Sequence, residues 1–208
     1  MAKDQKQHWN DLHLQDQADL EEPTSFAKEV QNMIPPRSSL LEVGCGSGRD
    51  SFYFAEHGYS VLATDFSEVA VEKNKEKYQS ENLSFEVLNI SNKTSFKDNS
   101  FDVIYSRLSL HYFRDTDTKN IFEELHRILK PSGYLCFVCK STEDPLYGNG
   151  TEIEKDMFES DGHIRHFFSE GYARECLREK FRIIEIESGK ESFYSYPSAF
   201  VKVIAQKK

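Results

Sequence analysis

No block of lysine or arginine and no long apolar run occurs anywhere in this 208-residue chain. Lys and Arg number 26 against 35 Asp and Glu, a net charge of −9, so attraction to nucleic-acid phosphates has little electrostatic support and no nucleic-acid partner is expected. No stretch approaches the roughly 20 apolar residues of a membrane span, and the polar opening from Met1 to Gln7 lacks the apolar core of a secretion signal. No membrane contact is expected, and the expected location is cytoplasmic. Proline, glycine and serine nowhere collect into a linker, and there is no repeat or low-complexity tract. One domain spanning 1–208 is therefore expected, long enough for a substantial core.

Cysteine is scarce, with four residues. Cys136 and Cys139 form a CxxC inside Tyr134–Cys139, which reads as a strand, and residues three apart on a strand point to opposite faces. They are expected as separate core thiols, with neither a shared metal nor a disulfide. Cys45 reads as a small filler in a turn and Cys176 as a helix residue, and with no zinc spacing anywhere no metal is expected.

The most informative stretch present is Leu40 to Arg49, an apolar strand that breaks into glycine at every second position, Gly44, Gly46 and Gly48. Such a run suits a turn that lets a bulky ligand lie against bare backbone. Its GxGxG spacing differs from the GxGxxG of dinucleotide sites, which disfavours NAD. Then Gly58 to Thr64 reads as a short strand ending at Asp65, 21 residues after Gly44, where a carboxylate is placed to accept the hydroxyls of a ribose. Together the two features point to a nucleoside.

Here the chain resembles the class I S-adenosylmethionine-dependent methyltransferases, whose first motif is an acidic residue followed by GxGxG and whose second strand ends in Asp or Glu. Glu42 to Gly48 and Asp65 match residue by residue. Asn99 to Ser106 looks like the family's fourth strand, followed by Leu110 to Phe113, and Leu129 to Leu135 looks like its turn into the fifth. The string Gly46 to Ser51, Trp9-Asn10 and the carboxy-terminal half also resemble the tellurite-resistance-type branch. One position departs from the pattern: the third strand runs into Asn89-Ile90 where the family usually has Asp, although an Asn carbonyl oxygen accepts the same bond from an adenine amino group. The resemblance implies S-adenosylmethionine as cofactor, with contacts from Glu42, Gly44, Cys45, Gly46, Gly48, Arg49, Asp65, Phe66, Asn89, Ile90 and Ser106.

Strand and helix patterns alternate along the chain, the signature of an α/β, doubly wound parallel sheet with helices on both faces. Two flanking helices are expected first, over residues 5–20 and from Thr24 to Met33. A core helix follows from about Ser47 to His57, another begins at the N-cap Ser67, and a third runs from about Asp115 to Lys130. A helix from Ser169 to Lys180 then precedes two late strands, Phe181 to Glu187 and Ala199 to Ala205. The family resemblance makes this a Rossmann-like, mostly parallel seven-stranded sheet whose last strand is antiparallel. It divides the domain into amino-terminal helices or lid (1–36), a cofactor-binding core (37–142), and a substrate-side loop, helix and terminal hairpin (143–208).

Methyl transfer from a sulfonium is an in-line displacement in which the cofactor carries the reactive group and the protein supplies orientation and a desolvated pocket. In the resembled fold the segment after the fourth strand borders the transferred methyl, which makes His111 and Tyr112 the candidate bases; His111 opening a helix and bonding locally is the plain alternative. Arg107 is a candidate for holding a substrate oxyanion, or else an ion pair with Asp115 or another acid. The acidic stretch Glu143 to His166 reads either as a lid or as a solvated loop. As a lid, its carboxylates suit a cationic acceptor and its Arg165 and His166 an anionic one. Trp9, the single tryptophan, belongs either to an amino-terminal lid or to a surface helix. The expected function is methylation of a small-molecule acceptor; methylation of a protein side chain and cofactor binding without catalysis are the alternatives.

Overall fold

The computed structural model describes residues 5–15, 22–160, 162–193 and 196–208; residues 16–20 of the first expected helix, Asp161 of the acidic stretch and the first four residues lie outside the described residues. Helices α1 (Gln5–Gln15) and α2 (Ser25–Met33) come first, the second capped by the Thr24 hydroxyl accepting from the Ala27 amide. Strands β1 (Ser39–Val43), β2 (Ser60–Asp65), β3 (Leu83–Val87), β4 (Phe101–Arg107) and β5 (Leu129–Lys140) alternate with α3 (Arg49–Glu56), α4 (Glu68–Lys77) and α5 (Asp115–Ile128). A short meander of β6 (Thr151–Glu154), β7 (Met157–Ser160) and β8 (His163–His166) follows, then α6 (Glu170–Leu177), β9 (Phe181–Phe193) and β10 (Tyr196–Lys207).

The main sheet has seven strands in the order β3-β2-β1-β4-β5-β10-β9, parallel except for β10, which runs antiparallel to both neighbours. This is the Rossmann-like arrangement expected. Strand alternation makes its two faces. Leu41, Ile104, Leu135, Phe137 and Val203 pack on the α5 and α6 side, while Leu40, Val61, Val103, Tyr105 and Ile204 pack with α2 and α3 on the other. Each such fully buried side chain contributes roughly 1.5–3 kcal/mol of transfer free energy. Cys136 and Cys139 fall into the opposite cores, as their spacing requires, and all four cysteines are free and buried. Chain order reverses at the β1/β4 boundary, so the carboxyl ends of β1, β2 and β4 open a crevice there.

Three expectations are corrected. The stretch from Glu143 to His166 is not an unstructured loop: β6, β7 and β8 form a separate three-stranded antiparallel sheet. Each of these strands is four residues long, too short to print an alternation. Helix α5 stops at Ile128 because Leu129 already joins β5 opposite Phe101. The final two strands are nearly twice as long as expected, since β9 and β10 pair along their whole length. No helix among the described residues is long and apolar enough to cross a membrane.

Candidate active site

The glycine turn leaves β1 with the Gly44 and Cys45 amides donating to Thr64 O on β2, at 2.8 and 2.9 Å. Two of its glycines are forced by close approach. A Cβ on Gly44, at φ +77°, would stand 2.3 Å from Ser109 Cβ, and one on Gly48 would stand 2.9 Å from the Asn74 side chain. Gly46 differs: the nearest neighbour of its Cβ position is the His13 ring at 3.8 Å, so that side of the turn is open backbone beneath α1. Asn74 braces the turn from α4, donating to Gly46 O at 2.8 Å and to Cys45 Sγ at 3.7 Å. Burial raises the Cys45 thiol pKa, consistent with a filler role.

Asp65 ends β2 buried, with Oδ2 accepting from the Gly46 amide at 2.9 Å and Oδ1 from the Ser67 amide at 2.8 Å. Each oxygen keeps acceptor capacity for one further donor. Ser67 caps α4 and donates to Asn10 of α1 at 2.7 Å. Beneath the turn, Ser51 donates to the buried Glu42 carboxyl, whose pKa burial raises, with Asp50 and Asp65 adding to the rise. Asp50 in turn accepts from the Thr24 amide, the Thr24 hydroxyl and the Tyr105 hydroxyl, tying α2 to α3 and β4.

Beyond β4 the chain turns at Leu108, φ +57°, into the segment Leu110 to Phe113. His111 is fully buried, and neither ring nitrogen has a hydrogen-bond partner. It lies in a turn ahead of α5, not at a helix start. Its ring is 4.3 Å from that of Tyr112, and its carbonyl accepts from the His166 amide at 2.8 Å, which seats the small sheet against this segment. Burial lowers the His111 pKa, with Lys140 and Arg165 adding to the effect, and pushes His163 down to about 3. Both imidazoles are neutral at neutral pH.

Helix α1 lies across these parts. Gln5 donates to Gly162 O at 2.8 Å, and the His8 ring stacks on His163 at 4.5 Å. Trp9 meets Tyr112 at 4.8 Å and His163 at 5.2 Å. Toward its other side Lys6 pairs with Glu68, and Lys73 donates to His13 O at 2.6 Å. The helix thus roofs both the glycine turn and the His111–Tyr112 segment.

A methyltransferase domain family matches residues 41–137. Over 190 residues, 86% of this chain, it is 30% identical to a glycine/sarcosine/dimethylglycine N-methyltransferase of Actinopolyspora halophila, of which it spans 33% of the length. An S-adenosylmethionine-dependent methyltransferase from Methanosarcina mazei superposes with a TM-score of 0.75 at 25% identity, covering 86% of this chain and 96% of that one. Residues 41–137 carry a methyltransferase domain, in a chain that is similar to S-adenosylmethionine-dependent methyltransferases. S-adenosylmethionine is the cofactor of this domain. TehB from Haemophilus influenzae, at 18% identity and a TM-score of 0.71 over 89% of this chain and 62% of that one, shares the fold, a likeness that does not carry the narrower tellurite-resistance-type resemblance further.

Within this methyltransferase domain, Gly44, Cys45, Gly46, Gly48 and Asp65 gather at one end of the sheet, and Phe66 follows Asp65 half-buried with the Lys6 ammonium 6.0 Å from its ring. Glu42 and Ser106 are buried below the turn, where the Ser106 and Ser109 hydroxyls share two protons among contacts to Val43 O and each other. Ile90 belongs to the core on the α5 side. The Asn89 carbonyl oxygen already accepts from Ser91 at 3.0 and 2.7 Å, and Arg49 reaches Glu22 O at 3.3 Å. Arg107 does not pair with Asp115. Its guanidinium lies 4.5 Å from the Phe193 ring centroid, while Asp115 takes Lys119 and the Tyr172 hydroxyl.

Arg165 and His166 do not form a pair either, because neighbours on a strand face opposite ways. His166 packs against Tyr172 at 4.4 Å and Phe168 at 5.4 Å, whereas the face of Arg165 is shared with His163. Sequence reasoning missed His163, Asn74 and Ser109. Period-two spacing from Arg165 was the available signal for the first. The other two reach the turn through long-range packing that leaves no local pattern.

Proposed function

We propose that this protein transfers a methyl group from S-adenosylmethionine to a small-molecule acceptor at the carboxyl edge of its parallel sheet. One observation carries the reading: α1 lies over the open backbone at Gly46, which the Asp65 carboxylate braces, and its Trp9 packs on Tyr112, whose ring lies 4.3 Å from the buried, unpartnered His111 imidazole. The cofactor's fit rests on Asp65, which retains acceptor capacity for ribose hydroxyls, and on Gly46, where any side chain would occupy the ligand's space. When bound, it supplies an electrophilic methyl group on a sulfonium.

The chain's own residues bind, orient and exclude water. Helix α1 closes the crevice through Trp9, removing water that would weaken electrostatic interactions inside. Tyr112 packs beside Trp9 and His163, and His111, neutral at neutral pH, is in the protonation state required to take a proton from an acceptor that must lose one. The Actinopolyspora relative, named for glycine, sarcosine and dimethylglycine, supports an acceptor of small size. Incubation of the purified chain with S-adenosylmethionine and fractionated cell-extract metabolites tests this: S-adenosylhomocysteine should accumulate with at least one small-molecule fraction. Accumulation only with a protein fraction, or with none while the cofactor binds, contradicts the reading and favours protein methylation or a non-catalytic binder respectively.

A further inference from the structure

Buried polar side-chain atoms without a partner are costly, roughly 1–3 kcal/mol each, and native proteins keep few of them. Five occur here in four neighbouring residues: both ring nitrogens of His111, Nδ1 of His163, Nε of Arg165 and Nδ1 of His166. Strand alternation in β8 separates them. His166 turns toward α6, while His163 and Arg165 share the face on which His163 meets Tyr112, His8 and Trp9. Arg165 has no ion pair among the described residues, and it and His163 both act electrostatically on His111. A half-buried guanidinium beside orphaned imidazoles is built for a ligand that the chain itself does not supply.

The sign of that ligand follows from where the segment's acids go. Glu154 is taken by Arg114 at 2.7 Å and the Asp115 amide at 3.0 Å, Asp156 by the Tyr147 hydroxyl at 2.8 Å, and Asp144 by Lys140 at 2.8 Å. These carboxylates are spent on the protein. Glu152 accepts from the Asp156 amide at 3.4 Å, and Glu159, which has no partner among the described residues, stands opposite Ile164 in the register and so on the other face of the small sheet from Arg165. The groups left on the face of Arg165 are a cation and N–H donors. We propose that Arg165, His163 and His111 form an oxyanion subsite that seats a carboxylate or phosphate group of the methyl acceptor beneath helix α1. The proposal rests on the methyltransfer reading and narrows it to acceptors carrying a compact anionic group. Each neutral imidazole offers one N–H and the guanidinium a charge-assisted donor, a set that matches the several lone pairs of an oxyanion.

The test uses the full chain, with and without S-adenosylhomocysteine, titrated with inorganic phosphate, acetate and methylammonium while imidazole nitrogens are followed by NMR and heats by calorimetry. Phosphate or acetate should bind and shift the His111 and His163 resonances while the exposed His57 stays unmoved; methylammonium should do neither. Arg165→Gln should weaken the anion roughly tenfold or more, the loss expected of a charge-assisted bond, with Arg165→Lys intermediate and S-adenosylhomocysteine affinity unchanged. Binding of phosphate alone assigns a phosphorylated acceptor, and of acetate alone a carboxylate. The subsite is overturned if neither anion moves these histidines, or if folded Arg165→Gln and Arg165→Lys bind them as the parent does. Failure of S-adenosylhomocysteine to bind the parent overturns the cofactor reading instead, and the titration without it still decides the subsite.

Discussion

The Cβ position of Gly44 lies 2.3 Å from Ser109 Cβ, so the loop after β4 closes directly onto the first glycine of the turn. At Gly46 the same position is open apart from the His13 ring at 3.8 Å. The two glycines therefore serve different ends. Gly44→Ala adds a clash to an unfavourable positive φ and should destabilise the fold by about 2–4 kcal/mol, whereas Gly46→Ala should cost about 1 kcal/mol. Gly46→Val, by filling the ligand's space with a branched side chain, should abolish S-adenosylhomocysteine binding. Urea denaturation and calorimetry separate the two effects. Equal loss of stability at Gly44 and Gly46 counts against this division.

Asp65 accepts two backbone amides as well as facing the crevice. Asp65→Ala should weaken S-adenosylmethionine by about 1.5–3 kcal/mol, the scale of charge-assisted hydrogen bonds. Asp65→Asn, which keeps an acceptor oxygen for one of the two amides but turns its NH2 toward the other, should retain only part of the turn's stability. Calorimetry showing unchanged affinity in a folded Asp65→Ala variant removes this residue from the site.

Much of this architecture is legible locally. The Gly44 to Gly48 spacing, the carboxylate at the end of β2, the Ser67 cap and the opposite facing of Cys136 and Cys139 each follow from a few adjacent residues. What escapes is set by distance in the chain. Ser109 and Asn74 reach the turn only because β4 and α4 flank β1 and β2, and the four-residue strands β6 to β8 owe their order to pairing with one another. Arg165 and His166 read as one functional pair until pairing shows a strand, and the strand's pleat then divides them.

Acid should destabilise the protein early. Burial holds His111, His163 and His166 below the ordinary histidine pKa of 6.5, so below that pH the unfolded chain binds protons that the folded chain refuses. Their contribution is complete above pH 6.5 and is lost as pH falls toward the folded values, about 3 for His163. The loss should approach roughly 1 kcal/mol per histidine for each pH unit. Urea midpoints at pH 8 and 5.5 measure it, and His163→Asn should shrink the difference. Identical pH dependence in parent and variant would show that His163 does not stay neutral in the fold.

Trp9 is the only tryptophan, and it contacts Tyr112 and His163 from the roof helix. Its emission therefore reports α1 alone. Binding of S-adenosylhomocysteine should change that emission, and Trp9→Ala should speed ligand dissociation by about tenfold, a shift worth 1.4 kcal/mol. Stopped-flow rates indistinguishable from the parent's would make α1 a structural helix with no part in closure.

Whether the crevice takes S-adenosyl compounds is most directly tested by thermal unfolding with ligand. A ligand that binds only the folded state adds about 2.7 kcal/mol at a hundred times its Kd, and a domain this size gains roughly 2–4 °C per kcal/mol. S-adenosylmethionine should raise Tm by about 5–11 °C. S-adenosylhomocysteine, which fills the same space without a sulfonium charge, should match or exceed that shift, and NAD and ATP should do far less. A scan in which NAD shifts the midpoint and neither adenosyl compound does would contradict the account.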